Sequence, residues 1–175
     1  MNTLAITRLG ILGLLCSCTL PREDIRDPDP TPPGIVLMLI GDEGTLASVS
    51  TGDPPANATI SVDKDYRLLA LAADGNAGIE QVRIGGEVNV HCTAPGGLAQ
   101  SVWAIYAKAK PEVPGTPGPE VPTLAGVDLD LKGAGLKSLC SSGFKFGKVT
   151  GGFSASADSW GGASAQTPIL WISSP

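Results

Sequence analysis

The chain has few basic, aromatic and histidine side chains, and each shortage excludes a class of function. Its 175 residues include 12 Lys and Arg against 17 Asp and Glu, for a formal net charge of −5. Proteins bind nucleic acid by displacing counterions with clustered Lys and Arg, so this balance argues against a nucleic-acid partner. A single histidine, His91, leaves too few nitrogen ligands for a zinc site and one candidate base for nucleophilic catalysis. We therefore expect no metal, no cofactor and no catalytic residues.

A long hydrophobic run is also lacking, but a short one lies near the N-terminus. Residues 9–15 are uninterrupted by charge and follow Arg8, which is the charged-then-apolar order of a secretory signal. This run is far shorter than the roughly 20 apolar residues that span a bilayer. The pattern predicts a signal peptide over residues 1–17 rather than a transmembrane helix.

Cys18 follows this run in the pattern of a lipoprotein signal. Leu15 precedes it by three residues and the small Ser17 directly, which resembles a bacterial lipobox, although Cys16 stands where Ala, Ser or Thr is usual. The resemblance implies cleavage before Cys18 and acylation of that residue. More than one acyl chain is needed for stable residence in the membrane. Thr19, which is not aspartate, implies sorting to the outer membrane. The alternatives are an ordinary cleaved signal with two incidental cysteines, or a buried N-terminal strand.

The next segment predicts a tether. Residues 19–34 read TLPREDIRDPDPTPPG, with five prolines and four acidic residues, and Leu20 and Ile25 are its only large apolar side chains. Such a composition does not build a core, and proline favours an extended chain of about 3.1 Å per residue, or roughly 50 Å in all. Residues 18–34 are therefore predicted to form a lipid anchor and a disordered, acidic, proline-rich tether.

From residue 35 onward, short apolar or alternating runs are separated by turn residues. The chain has 23 glycines and 15 prolines, close to twice the usual joint share of about 12%, which argues against a helical bundle. Many short strands with turn signals between them favour an all-β sandwich or barrel. The segment 98–110 fits helical as well as strand spacing, and we predict a strand over 101–108. The other predicted strands are 35–40, 66–73, 79–86, 88–92, 127–132, 152–157 and 169–172.

Several of these segments resemble bacterial immunoglobulin-like domains. PPGIV at 32–36 is followed by LALAAD, which ends at Asp74, and by GIEQVRIGG at 78–86. SADSWGG at 156–162 and TPILWI at 167–172 are similar to the closing hairpin of that family. The resemblance implies one immunoglobulin-like β-sandwich over residues 35–175. The proline-rich stretch 110–123, KPEVPGTPGPEVPT, is predicted as a loop within this domain.

Two cysteines and one tryptophan are the remaining candidate site residues. With Cys18 assigned to the anchor, Cys92 and Cys140 are the candidate disulfide pair of an exported domain, with two buried thiols as the alternative. Trp160 lies in a predicted turn, where a large apolar side chain is typical of an interface anchor or a sugar-stacking platform. Alternatively, Trp160 folds back over the end of the sandwich. Trp171, in an apolar strand, is predicted to lie in the core.

Together these features predict a membrane-anchored lipoprotein of the bacterial cell envelope, in the outer membrane. Its sandwich would be a non-catalytic binding or adhesion module that contacts an unknown protein or glycan through its end loops. A structural accessory lipoprotein of an envelope assembly, docking through a sheet edge or the 110–123 loop, is the alternative. A secreted or periplasmic enzyme is a third hypothesis.

Overall fold

The computed structural model describes residues 31–75, 77–111 and 124–175, and most of these residues lie in β-strands. The elements in chain order are β1 (Gly34–Gly41), β2 (Gly44–Ser50), β3 (Ala56–Thr59), β4 (Asp65–Ala73), β5 (Ile79–Thr93), β6 (Ala99–Pro111), β7 (Leu124–Lys132), α1 (Gly133–Ser138), β8 (Lys145–Ser159), β9 (Ser164–Gln166) and β10 (Leu170–Ser173).

The strands form two sheets. The small sheet has the order β2-β1-β4-β7, and the large sheet has the order β3-β10-β8-β5-β6, with β9 also paired to β8. Neighbouring strands are antiparallel apart from β3 and β10, which are parallel. Placing β1, β4 and β7 in one sheet and β5, β8 and β10 in the other is the arrangement of an immunoglobulin-like sandwich, which β6 extends by one edge strand. The predicted all-β sandwich is confirmed.

Several strand bounds differ from the predicted ones. β5 is one strand of 15 residues where the sequence predicts two, because β6 and β8 pair with it through Gly85 and Gly86. β2 buries Val49 alone among its residues, so it carries little apolar pattern. The short helix α1 contains two glycines and has no side-chain cap, so the sequence pattern does not predict it. β6 confirms a strand for the ambiguous segment 98–110.

The core lies between the two sheets and consists of alternate residues of the facing strands. β1 buries Ile35, Leu37 and Leu39 from the small sheet, and β5 buries Val88 and Val90 from the large one, as its alternation predicts. Burial of each such side chain stabilises the fold by about 1.5–3 kcal/mol. The sandwich therefore depends on the period-two placement of aliphatic side chains.

The packing of two aromatic rings on the inner face of the large sheet requires a glycine. Gly86 of β5 lies opposite Tyr106 on one side and Phe153 on the other. The two rings meet edge to face, with centroids 6.1 Å apart, and burial raises the pKa of the Tyr106 phenol. A Cβ at Gly86 would lie 2.4 Å from both the Phe153 ring and the carbonyl oxygen of Gly152. Gly86 therefore provides the space that Phe153 fills.

The predicted disulfide is present. Cys92 at the end of β5 is bonded to Cys140, which follows α1, with a Cα–Cα distance of 5.7 Å and a sequence separation of 48. The bond ties the connection between β7 and β8 to the large sheet. Asp65 holds the other side of this connection, because its Oδ1 accepts the backbone N–H of Gly133 at 3.0 Å.

The glycine at 86 is tested by comparing two neighbouring substitutions. We expect Gly86→Ala to lower the free energy of unfolding by about 1–3 kcal/mol, because the new methyl overpacks the site beneath Phe153. Gly85→Ala is the matched control, since a Cβ there meets nothing within 4 Å. Urea denaturation measures both variants, and equal losses would contradict this account of Phe153 packing.

The disulfide is tested by its effect on unfolding. A cross-link closing a loop of 48 residues is worth about 4 kcal/mol in the chain-entropy model. We expect the double variant Cys92→Ala and Cys140→Ala to lose a large part of that free energy of unfolding. Reductant should lower the stability of the wild type and leave the double variant unchanged. If reductant leaves the denaturation midpoint of the wild type unchanged, the prediction is overturned.

Candidate functional site

Large apolar side chains are exposed on the outer face of the large sheet. Trp103 and Ile105 of β6 are 62% and 85% exposed, and on the β10 side Ile169 and Trp171 are 40% and 46% exposed. Single exposed hydrophobic residues are common, but a group on one face marks an interaction site. The prediction that Trp171 lies in the core is wrong, because β10 turns Leu170 and Ile172 inward and Trp171 outward.

The strand register places these side chains on two sides of a floor of small residues. One row across the sheet consists of Ile105, Glu87, Gly152, Trp171 and Asn57. The next row consists of Trp103, Asn89, Thr150, Ser173 and Thr59. On the other side of Glu87, the row consists of Ala107, Gly85 and Ser154. We call this outer surface, between Trp103 and Ile105 on one side and Ile169 and Trp171 on the other, the sheet-face groove.

Three adjoining cavities follow the groove along β5 and β8. The first, of about 340 Å³, is lined by both Trp103 and Trp171 together with Glu87. The second, of about 370 Å³, shares Glu87, Gly152 and Trp171 with the first and adds Ile105 and Ile169. The third, of about 400 Å³, extends the groove to residues 83 and 166. The groove is therefore elongated and parallel to the strands.

The indole of Trp171 lies over a glycine. A Cβ at Gly152 would lie 2.9 Å from Cζ3 and 3.0 Å from Cε3 of Trp171, and 2.9 Å from a methyl of Ile169. The absence of a side chain at Gly152 therefore lets the ring approach the β8 backbone, while about half of the residue stays open to solvent. An aromatic ring packed over a strand glycine in this way is held in position.

Glu87 is the unpaired charge of the groove. Among the residues that line the three cavities, Arg83 is paired with Asp158 at 2.8 Å, and Lys108 turns its side chain toward the small sheet, where it pairs with Asp128 at 3.6 Å. Glu87 is exposed and forms no ion pair or hydrogen bond with any residue in the described ranges. The groove therefore presents a free carboxylate between its two apolar sides.

Asn89 is an unusual buried polar residue beside the groove. It is 6% exposed although it lies on the outer face, directly between Trp103 and Thr150. Its Oδ1 atom accepts no hydrogen bond from the part of the chain that the structure describes. An unsatisfied buried acceptor costs about 1–3 kcal/mol, and Gln100 and Trp160 carry comparable unpaired atoms outside the groove.

Trp160 lies beyond the end of the groove, in the turn between β8 and β9. Its backbone N–H donates to the Gly78 carbonyl at 3.1 Å, and its side chain is half-buried, with Nε1 buried and without a partner among the described residues. The preceding Ser159 is about 10 Å along β8 from Ser156, the last β8 residue that lines the groove, at a rise of roughly 3.4 Å per residue. A ligand contact at Trp160 stays a prediction.

The other predicted site features are distributed as follows. Cys18, residues 1–17 and most of the 18–34 segment lie outside the described residues, as do 112–123 of the predicted loop. Nδ1 of His91 lies 3.2 Å from the Ser101 hydroxyl, on the surface. Within residues 31–75, 77–111 and 124–175 no group of three or more His, Cys, Asp or Glu is placed to hold a metal ion. In those same ranges no helix has the length and apolar character to cross a membrane.

The chain matches no family model and no curated protein. Its function must therefore be inferred from the geometry of its own residues. The sheet-face groove could not be predicted from the sequence, because its residues come from five strands and become neighbours only through the strand register. One signal was present: in β6, Trp103 and Ile105 alternate with Val102 and Tyr106, so both faces of that strand are apolar.

The different environments of the tryptophans are testable by fluorescence quenching. We expect the double variant Trp103→Phe and Trp171→Phe, which retains Trp160, to be quenched by acrylamide several-fold less than the wild type. The reason is that the two removed indoles are exposed while the Trp160 ring is partly covered. Trp160→Phe is the control and should keep most of the wild-type quenching. Equal quenching constants in the two variants would contradict the assignment of exposed faces.

Proposed function

We propose that this protein is a lipid-anchored lipoprotein of the bacterial outer membrane whose sandwich binds a ligand non-catalytically on the sheet-face groove. The observation that carries the proposal is the group of four large apolar side chains, Trp103, Ile105, Ile169 and Trp171, on one sheet face. Exposed apolar side chains lower solubility, so a group of them on one face is typical of a surface that binds a partner.

The anchor is supported by the sequence around Cys18 and by the start of the fold. Strand β1 begins at Gly34, so the acidic, proline-rich segment separates the lipid-bearing cysteine from the sandwich. At about 3.1 Å per residue, this tether places the domain roughly 50 Å from the membrane. That distance leaves the groove accessible to large ligands.

The chemistry of the groove favours binding over catalysis. General acid–base catalysis requires titratable groups held within reach of each other and of the reacting bond. Of the ionisable residues that line the three cavities, Arg83 is held in an ion pair, Lys108 turns toward Asp128 of the small sheet, and Glu87 faces no second acid or base among them. Aromatic rings, hydroxyls and amides line the rest, and these groups contact ligands without reacting with them.

A structural accessory role is the second candidate, and β6 favours it. This edge strand is 13 residues long and pairs with β5 alone among the described strands. Its other edge could accept a strand from a partner by β-augmentation. However, Lys108 and Lys110 interrupt this edge, and lysines on edge strands discourage such pairing. We therefore favour the sheet-face groove over the edge of β6 as the binding surface.

The anchor is tested by the intact mass of the full chain extracted from bacterial membranes. We expect a species that begins at Cys18 and carries acyl mass, since the lipobox resemblance implies both cleavage and acylation. Cys18→Ser is the control and should yield no acylated species. An uncut chain, or a cut chain without lipid, would overturn the lipoprotein part of the proposal.

The binding surface is tested by photo-crosslinking in living cells. A photoreactive amino acid in place of Ile105 should form an adduct, because that side chain projects from the groove. The same amino acid in place of Arg67, exposed on the small sheet, is the control and should not. The adduct should disappear when Trp103 and Trp171 are changed to Ala. An adduct that survives this change, or that forms equally from position 67, would refute the groove as the binding surface.

A further inference from the structure

We propose that the ligand of the sheet-face groove is a neutral linear oligosaccharide. In this arrangement sugar rings stack on Trp171 and Trp103, and sugar hydroxyls bind the polar side chains between the two indoles. The inference rests on the proposed function and deepens it, because it names the chemical class of the ligand.

The shape of the groove fits a chain of sugar rings. The three adjoining cavities follow β8 from Thr150 to Ser156, which is about 20 Å at the usual rise per residue. The floor beneath them is low because Gly85 and Gly152 have no side chain and Ser154 has a small one. A long, shallow surface of this kind accommodates a linear polymer better than a compact small molecule, which prefers an enclosed pocket.

The two tryptophans supply the stacking surfaces. The face of an indole carries partial negative charge and attracts the partly positive C–H groups on the apolar face of a sugar ring. The Trp171 ring is supported by Gly152 and Ile169 and keeps an exposed surface, so little conformational freedom is lost when a ring stacks on it. Trp103 lines the same 340 Å³ cavity from the opposite side, so a sugar ring bound there would lie between the two indoles.

The polar side chains of that cavity match sugar hydroxyls. Glu87, Asn57, Thr150 and Ser173 all line it. A carboxylate accepts stronger hydrogen bonds from hydroxyl groups than a neutral acceptor does, and the Glu87 carboxylate has no partner among the described residues to compete.

The charge of the groove selects a neutral ligand over an anionic one. Arg83 is neutralised by Asp158, and Lys108 turns away from the groove to Asp128 of the small sheet, which leaves Glu87 as the uncompensated charge among the lining side chains. The exposed Lys148 lies one row beyond Thr150, outside the central cavity. A uronic acid, sialic acid or phosphate in the central cavity would lie against this carboxylate and be repelled. The overall charge of −5 acts in the same direction.

Two protein occupants fit less well. An extended peptide binds a sheet through free backbone groups, but β5 and β8 have strands on both sides, so their backbone groups are used within the sheet. A second copy packed face to face about a two-fold axis would bring two unpaired Glu87 carboxylates into one interface. An oligosaccharide carries neither penalty.

The test is calorimetric titration of the purified full chain with defined sugars. The neutral probes are cellohexaose, chitohexaose and maltohexaose, and the anionic probe is a hyaluronan hexasaccharide. We expect at least one neutral probe to bind and the anionic probe not to bind. Trp171→Ala and Trp103→Ala should each weaken binding tenfold or more, and Glu87→Gln several-fold. Gly152→Ala, which keeps every aromatic and polar side chain but displaces the Trp171 ring, should also weaken binding.

Leu124→Ala is the control and should leave the titration unchanged, since that exposed apolar side chain lies on the small sheet. Denaturation of each variant separates loss of binding from loss of fold. The inference is overturned if no neutral probe binds, if binding survives both tryptophan changes, or if the anionic probe binds more tightly. If sedimentation shows that the wild type is a dimer and that Trp171→Ala dissociates it, the occupant of the groove is a second copy of this chain and the sugar proposal is overturned. A groove crosslink to protein without sugar binding would refute this inference alone and leave the proposed binding function standing.

Discussion

The structure depends on two close approaches of an aromatic ring to a glycine, one on each face of the large sheet at β8. In β8, Phe153 points inward and its ring occupies the space above Gly86, while the neighbouring Gly152 points outward and leaves space for Trp171. Because side chains alternate along a strand, these two packings are adjacent and share the same backbone. The core and the sheet-face groove are therefore formed by consecutive residues, and a shift of register by one residue would destroy both.

The fold class and the disulfide could be predicted from the sequence because both depend on local features. Alternation in residues 88–92 indicates an inward face whichever strands pair with them. With Cys18 assigned to the predicted anchor, Cys92 and Cys140 remain as the candidate pair, and they are bonded. The groove could not be predicted, because Glu87, Gly152 and Trp171 become neighbours only through pairing of β5, β8 and β10. In the ILWI segment every side chain is apolar, so no alternation reveals that Trp171 points outward.

The disulfide has an unusual place for a sandwich of this kind. In antibody domains the bond crosses the core and joins the two sheets. Here it joins the end of β5 to the segment after α1, at one end of the sandwich. The contact between the sheets therefore depends on aliphatic and aromatic packing among the described core residues. This explains why the space above Gly86 matters: no covalent bond between the centres of the two sheets compensates for a gap or a clash there.

The N-terminal strand and the groove lie on different sheets, and this separation determines how the domain carries force. Tension applied at the start of β1 would enter the small sheet, whereas a ligand bound as proposed between Trp103 and Trp171 would pull on the large one. The two sheets are joined through their hydrophobic interface, so a pull between tether and ligand acts on that interface as a whole. Mechanical resistance would then come from many dispersion contacts acting together rather than from one row of hydrogen bonds opening in succession.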